Sequence, residues 1–169
     1  MDVDTLAAFY AREIGALRRE IAAYPDDPSL WAGRDGIQNT GGVLAQHLVG
    51  NLRHFIGGRL GGSGYVRDRD AEFQATGMSK DKLLGLVDAA SDEVSQAFAA
   101  MDAEELAADF PDVVAGHHVG NAELLLHLLS HLGYHLGQMD YHRRLVTGAN
   151  TTVEAISVKE IPGLRPAKG

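Results

Sequence analysis

Residues 121–148 read NAELLLHLLSHLGYHLGQMDYHRRLVTG, and this stretch predicts one long helix. Its leucines recur every three or four positions, which is the spacing of a single helical face. Asn121 is predicted as the N-cap, and Gly148 suits the residue that follows a helix C-terminus. Because such a helix must bury its apolar face against others, the stretch predicts a helical domain.

The same stretch contains four histidines within sixteen residues: His127, His131, His135 and His142. The first three repeat every four residues, so their rings form a stripe along one side of the helix, beside the leucines. Burying an imidazole is costly unless its ring nitrogens find partners, and a divalent metal is one such partner. The stripe is therefore the first candidate for chemistry.

Three further segments have the spacing of amphipathic helices, and no stretch of comparable length alternates as a β-strand does. We expect these helices over 5–24, 40–58 and 79–101. Thr40 is the predicted N-cap of the second, and a structureless loop over 59–78 follows it. Together they predict an all-α four-helix bundle over 1–150 with long connections. An irregular C-terminal arm, extended or partly disordered, is expected over 151–169.

Composition narrows the functional classes. The 169 residues, 45% of them hydrophobic and 22% charged, are ordinary for one globular domain. The formal net charge of -8, without a long basic run, disfavours a nucleic-acid partner. The absence of cysteine excludes thiolate ligands, disulfides and a cysteine nucleophile. No signal peptide or membrane-spanning stretch is visible, so we expect a cytoplasmic protein without a membrane partner.

Two of the histidines, His131 and His135, can reach one metal ion from successive helical turns. A third ligand must come from another helix, and His47 is the best candidate because it lies mid-helix among leucines. Three neutral imidazoles leave coordination positions for water or substrate, as in catalytic metal sites. Alternatively, these are core histidines satisfied by hydrogen bonds. His127 could also replace His135 as a ligand or contribute to a pocket.

Several neighbours could complete such a site. Gln138 lies seven residues from His131 and faces the same way, so it could orient a ligand or hold a bound water. Tyr134 and Asn51 are candidates for the pocket, although tyrosines in helical bundles more often simply pack. His142 could stack on another ring or support a ligand from behind, and the solvated helix surface is the position we favour for it.

Arginines alternate with acids in a second cluster, formed by Arg53 and the stretch 65–73, YVRDRDAEF. Arg53, Arg67 and Arg69 could clamp an anionic substrate through paired hydrogen bonds. The alternative, which we favour, is a set of ion pairs that hold the 59–78 loop against the bundle.

Three stretches resemble motifs of the DinB-like (YfiT-like) metalloenzyme superfamily. Residues 131–138, HLGYHLGQ, are similar to the His-x-x-x-His-x-x-Gln signature of its last bundle helix, and residues 45–48, AQHL, to its second-helix histidine. The stretches GNLRHFIGG (50–58) and YVRDRDAEF (65–73) resemble an uncharacterised bacterial branch. The similarity spans roughly residues 5–148.

This resemblance implies a bundle of up-down-down-up topology that is often dimeric, so we expect a homodimer. It implies a divalent metal, most commonly zinc or nickel, held here by His47, His131 and His135. Characterised relatives include S-transferases and isomerases that use low-molecular-weight thiols such as bacillithiol and mycothiol. Many members have no known reaction.

The leading hypothesis is a metal-dependent enzyme that transfers such a thiol to a small electrophile. A metal-bound thiol or water loses its proton at neutral pH and becomes the nucleophile. A hydrolase is disfavoured because Asp140 and Glu123 are expected to face away from His131, which leaves no general base on the histidine helices. The alternatives are a non-catalytic metal-binding or stress-response bundle and a dimeric interaction module.

Overall fold

Helices account for most of the residues that the computed structural model describes, 2–153 and 157–166. In chain order they are α1 (Val3–Ala22), α2 (Asp27–Leu30), α3 (Gly41–Leu52), α4 (Arg69–Gln74), α5 (Lys80–Ala100), α6 (Ala103–Ala107) and α7 (Asn121–Thr147). Four of them, α1, α3, α5 and α7, are long, and no β-strand occurs among the described residues. The predicted helical fold class is confirmed, whereas the up-down-down-up topology stays a prediction.

The long helices begin at capping residues, with one correction. Thr40 and Ser79 each accept a hydrogen bond from a backbone amide three residues further on, and α3 and α5 begin after them as expected. The prediction that Asn121 caps α7 is wrong. Gly120 is the N-cap, and the Asn121 side chain instead donates a hydrogen bond to a carbonyl of α6, 2.7 Å away.

The core lies between α1, α5 and α7, and α3 is buried along its whole length against the latter two. Within the predicted first helix, 5–24, the apolar residues that recur every three or four positions are buried: Tyr10, Ile14, Leu17, Ile21 and Tyr24. On α7 the buried positions include Leu125, Leu128, Leu132, Leu136 and Met139. Because α3 packs directly on α7, a side chain in the middle of α3 can meet the histidine stripe.

The connection over 59–78, expected to be structureless, is partly helical. After Leu52, α3 continues as a π-helical segment, Arg53–Leu60, which runs past the predicted end at Gly58, and α4 forms further along. Gly57 does not stop the helix. It allows close packing, because a Cβ there would lie 2.6 Å from a carboxylate oxygen of Glu93 on α5. Gly57 therefore permits a contact between helices at a position where the sequence pattern indicated the end of one.

His142 is buried, so the expectation that it lies on the solvated surface is wrong. Its Nδ1 lies 2.8 Å from the Tyr24 hydroxyl oxygen, and its Nε2 lies 2.9 Å from the Ala32 carbonyl oxygen. Both partners come from segments more than a hundred residues away in the chain. Helical spacing alone could not reveal them.

The C-terminal arm predicted over 151–169 is described in part, since residues 154–156 and 167–169 lie outside the described residues. The described part contains a 3₁₀ turn, Val158–Glu160, and contacts two long helices. Arg143 of α7 donates a hydrogen bond to the Thr151 carbonyl at 3.2 Å, and Arg19 of α1 pairs with Glu160 at 3.1 Å. The domain boundary at residue 150 stays a prediction.

Within the described ranges, none of the helices combines the length and apolar character needed to cross a membrane.

Candidate metal centre

The three histidines predicted as metal ligands lie together where α3 faces α7. The Nε2 atom of His131 is 3.3 Å from Nε2 of His47 and 3.1 Å from Nε2 of His135. Each residue offers one ligand atom, and these atoms all lie within 4.8 Å of one another. The structure thus brings together side chains separated by 84 residues in the chain into a group that could hold a metal ion.

Ordinary helix geometry positions these rings. His131 and His135 project from successive turns of α7, at the half-buried edge of its apolar face. His47 is buried in the middle of α3, and its ring packs against the Phe73 ring, with centroids 5.0 Å apart. Phe73 belongs to α4, so the short helix covers the centre from the α3 side.

Glu72, also on α4, fixes the orientation and tautomer of His47. Its Oε2 lies 3.1 Å from His47 Nδ1, and its two oxygens accept hydrogen bonds from Arg67 at 2.6 and 2.7 Å. Burial alone would raise the pKa of Glu72, but the hydrogen bonds from Arg67 and His47 bring that pKa below its ordinary value. An ionised carboxylate only accepts hydrogen bonds, so His47 donates its Nδ1–H and presents the lone pair of Nε2.

Gln138 has the same effect on His135. Its side-chain oxygen, Oε1, lies 2.6 Å from His135 Nδ1, so this histidine also donates Nδ1–H and keeps a lone pair on Nε2. The structure places the Gln138 side chain where the sequence suggested that it could orient a ligand. Two of the three Nε2 atoms are therefore held as acceptors by partners behind them.

His131 cannot donate a hydrogen bond to the Nε2 atoms of both His47 and His135. A proton on its Nε2 can be donated to only one of the two facing lone pairs, and its buried Nδ1 has no hydrogen-bond partner among the described residues. A divalent cation would be bound by all three lone pairs at once. Metal–nitrogen bonds of about 2.0–2.1 Å at tetrahedral angles separate ligand nitrogens by about 3.3 Å. The distances from His131 Nε2 to the other two Nε2 atoms, 3.3 and 3.1 Å, are close to this value. The residues present therefore fit a metal.

The surroundings of His131 and His135 favour the neutral form of these two rings. Burial, and then the neighbouring His135 and His47 rings, lowers the pKa of His131 to about 4. Burial also lowers the pKa of His135, against the opposing effect of its hydrogen bond to Gln138. Neutral imidazoles are the form that binds metals, so the site does not have to release protons from these two rings near neutral pH.

The other predicted neighbours lie around this group without joining it. Tyr134 is exposed and its ring packs edge-on against His135, with centroids 5.2 Å apart. His127 is exposed and stacks on His131 at a centroid distance of 6.4 Å, outside the three-membered group. Asn51 is buried one turn beyond His47 and makes no hydrogen bond to the histidines within the described part of the chain.

Each of the three arginines that could have clamped an anion has a partner within the protein. Arg53 pairs with Glu93 at 2.6 Å and Arg67 pairs with Glu72, while Arg69 lies over the Phe73 ring, 5.3 Å from its centroid. An anion at Arg53 or Arg67 would have to displace a carboxylate. The Arg67–Glu72 pair lies within the 59–78 connection, and Arg59 joins the connection to the rest of the fold through an ion pair with Asp112.

Sequence reasoning missed the role of Glu72. The available signal was local: Asp68 before two further acids is a typical helix start, which would have placed Glu72 on a short helix. The contact with α3 also depends on Gly50, because a Cβ at that position would collide with the Glu72 carboxylate. That close approach is a tertiary feature that no local pattern contains.

A search of curated proteins finds no match to this chain. The sequence profile of one family, described as "Protein of unknown function (DUF1572)", matches residues 9–160. DUF1572 is a DinB-like type of family, in line with the motifs around His47 and His131, and its description assigns no reaction. Because the match covers most of the sequence, the chain belongs to the DUF1572 family of proteins of unknown function.

Proposed function

We propose that this protein is a divalent-metal-dependent enzyme of the DinB-like superfamily, with His47, His131 and His135 as its metal ligands. One observation carries the proposal: three Nε2 atoms converge, and two of them are fixed as acceptors by Glu72 and Gln138. Ligands supported from behind in this way are typical of metal sites. Zinc and nickel are the proposed metals, because imidazole suits both.

A catalytic site is favoured over a purely structural one by the number of ligands. The group found among the described residues has three members, whereas structural zinc sites usually have four protein ligands. His131 and His135 are also half-buried at the edge of the core, next to the exposed ring of Tyr134. Both features leave room for an exchangeable ligand.

The proposed reaction is transfer of a low-molecular-weight thiol to a small electrophile: the thiol loses its proton to solvent, its sulfur forms a bond to an electrophilic carbon, and a leaving group such as chloride departs with the electrons of the bond that breaks. A divalent metal bound there would lower the pKa of a coordinated thiol. The protein itself contributes neutral, oriented imidazoles, and it has no cysteine, so the thiol comes from outside. Glu72 is engaged by Arg67 and His47, which makes it a positioning residue and leaves it unsuited to be the general base of a hydrolase. We further propose a homodimer as the working form.

Thiol conjugation by metal-loaded protein tests this function. N-acetylcysteine, bacillithiol and mycothiol would each be offered with 1-chloro-2,4-dinitrobenzene, and product formation followed by absorbance. We expect zinc- or nickel-loaded protein to exceed the same concentration of free metal with at least one thiol. His47→Ala should lose roughly 100-fold or more of the rate while keeping its helical circular dichroism.

The matched control is His127→Ala, since His127 lies on the same helix outside the group. It should keep its rate within about threefold of wild type. No acceleration with any of the three thiols would overturn the transferase proposal and favour a non-catalytic metal-binding bundle. An unchanged rate in His47→Ala would separate any activity from the three histidines.

A further inference from the structure

A cavity of about 510 Å³ opens beside the candidate metal centre, between α7 and the connection that follows α2. Gln138 and Tyr134, which both contact His135, also line this cavity. Leu44, one turn before His47 on α3, lines it as well. Its volume falls within the range of about 300–1,000 Å³ that is usual for small-molecule sites.

Much of the cavity wall is apolar and aromatic. Tyr134 and Tyr141 lie two turns apart on α7 and are 65% and 66% exposed. The Arg144 guanidinium lies over the Tyr141 ring, 5.3 Å from its centroid, and the rest of the exposed ring surface is available to a ligand. Ile37 faces them from the connection after α2, next to Gly36, whose φ of 79° forms the tight turn. Such a wall favours a flat aromatic or aliphatic body, because covering these rings removes apolar surface from water.

The polar part of the lining consists of neutral groups. Gln38, Asn39 and Gln138 contribute side-chain amides, and within the described residues the lining includes no Asp, Glu, Lys or Arg. His142 also lines the cavity, but both of its ring nitrogens already have partners inside the protein. Arg144, which lies over the Tyr141 ring, is paired with Asp140. An anionic ligand would therefore lose water without meeting a cation that is free of a carboxylate, which is unfavourable.

Gln138 connects the cavity to the metal centre. Its oxygen accepts the Nδ1–H of His135, and within the described part of the chain its amide nitrogen makes no hydrogen bond. That nitrogen carries two N–H donors. A ligand in the cavity can therefore accept a hydrogen bond from the same side chain that orients a metal ligand.

We propose that this cavity binds a small uncharged molecule with an aromatic or aliphatic body and a hydrogen-bond acceptor directed at Gln138. The binding depends only on the cavity. Its identification as the electrophile-binding site of the enzyme rests on the proposed function. If a second copy of the chain covers the exposed tyrosines instead, substitutions in the cavity should dissociate a dimer.

Two probes of the same shape test the proposed chemistry: 2-naphthamide, which is neutral, and 2-naphthoate, which is anionic. Binding is measured by saturation-transfer NMR titration, first with EDTA present so that no carboxylate can bind a metal. We expect 2-naphthamide to bind with a Kd of about 1 mM or tighter. We expect 2-naphthoate to bind at least about tenfold more weakly.

Gly137 and Gly133 provide a matched pair of variants on α7. Gly137 lines the cavity and Gly133 does not, and a Cβ at either position meets nothing within 4 Å. Gly137→Leu should reduce 2-naphthamide affinity about tenfold by filling the cavity, whereas Gly133→Leu should stay within about twofold. Neither substitution should prevent folding, because both replace glycine by a good helix former.

Equal binding of the two probes, or unchanged binding in Gly137→Leu, would overturn the proposal. The proposal would also be overturned if light scattering shows a dimer and Gly137→Leu dissociates that dimer without reducing 2-naphthamide binding. Metal content measured on the same protein preparations, after exposure to zinc or nickel and before EDTA is added, distinguishes this inference from the proposed function. Binding of 2-naphthamide by a protein that takes up no metal would reject the enzyme and retain the cavity. Metal uptake without probe binding would reject the proposed ligand of the cavity and retain the proposed metal site.

Discussion

Replacing Glu72 by glutamine removes a negative charge behind His47 while keeping the shape of the side chain. Glu72 Oε2 lies 3.1 Å from His47 Nδ1, and the Glu72 side chain is only 6% exposed. Both of its oxygens also accept hydrogen bonds from Arg67. Glutamine can still accept the His47 Nδ1–H, but it leaves the Arg67 cation without a counter-charge and makes His47 a less basic metal ligand.

We expect metal affinity to fall about tenfold, at the lower end of the 10–100-fold range typical of such partners. The lower end applies because glutamine keeps an acceptor. In addition, Nη2 of Arg67, 3.4 Å from His47 Nδ1, already offsets part of the carboxylate charge. Tenfold corresponds to about 1.4 kcal/mol of binding free energy. The free energy of unfolding of the metal-free protein should fall by about 1–3 kcal/mol, because Arg67 is left buried without its partner.

Competition for zinc with a chromophoric chelator measures the affinity, and urea denaturation with EDTA measures the stability. Glu93→Gln is the matched control, because Glu93 makes a comparable ion pair with Arg53, at 2.6 Å, rather than with a histidine. It should lose stability and keep its metal affinity within about twofold. Wild-type affinity in Glu72→Gln, or an equal loss of affinity in both variants, would show that Glu72 does not support His47 as a metal ligand.

Two further predictions concern the surroundings of the histidines. Because the pKa of His131 is about 4 in the folded protein against an ordinary 6.5, the unfolded chain takes up this proton first as the pH falls. The free energy of unfolding of the metal-free protein should therefore fall between pH 6.5 and pH 4, by about 1–2 kcal/mol for this half-buried ring after solvent screening. Urea titrations across this range should show a smaller fall in His131→Ala, and the same slope in both proteins would contradict the assignment. Gly50→Ala should weaken metal binding and lower the free energy of unfolding by about 1–3 kcal/mol, since its Cβ collides with Glu72. By contrast, Gly133→Ala, whose Cβ meets open space, should raise the free energy of unfolding by up to about 1 kcal/mol. Thermal and urea denaturation of the pair check this, and a Gly50→Ala protein as stable as Gly133→Ala would count against the packing described.

Features set within one helix were predictable from the sequence. The four-residue spacing of His131 and His135 determines that their rings share one side of α7, and the buried stripe of α1 follows from the same geometry. His47 could be selected because a polar ring among leucines in a helix needs a partner. These local rules predicted the four long helices and the members of the histidine group.

Features that depend on contacts between distant segments were not predictable in this way. Gly57 looks like a helix stop, yet it permits close packing against α5. Glu72 is one of several acids that alternate with arginines over 65–73, and only the fold places it behind His47. His142 has helical spacing compatible with either surface or core, and its buried partners, Tyr24 and Ala32, belong to the first part of the chain.

The metal content of the untagged protein tests most directly whether the three imidazoles share a cation. After exposure to zinc or nickel and removal of free metal, elemental analysis should find about one ion per chain in wild type and in His127→Ala. His131→Ala should retain almost none while keeping its helical circular dichroism. Wild-type protein without bound metal, or His131→Ala with as much metal as His127→Ala, would contradict the account.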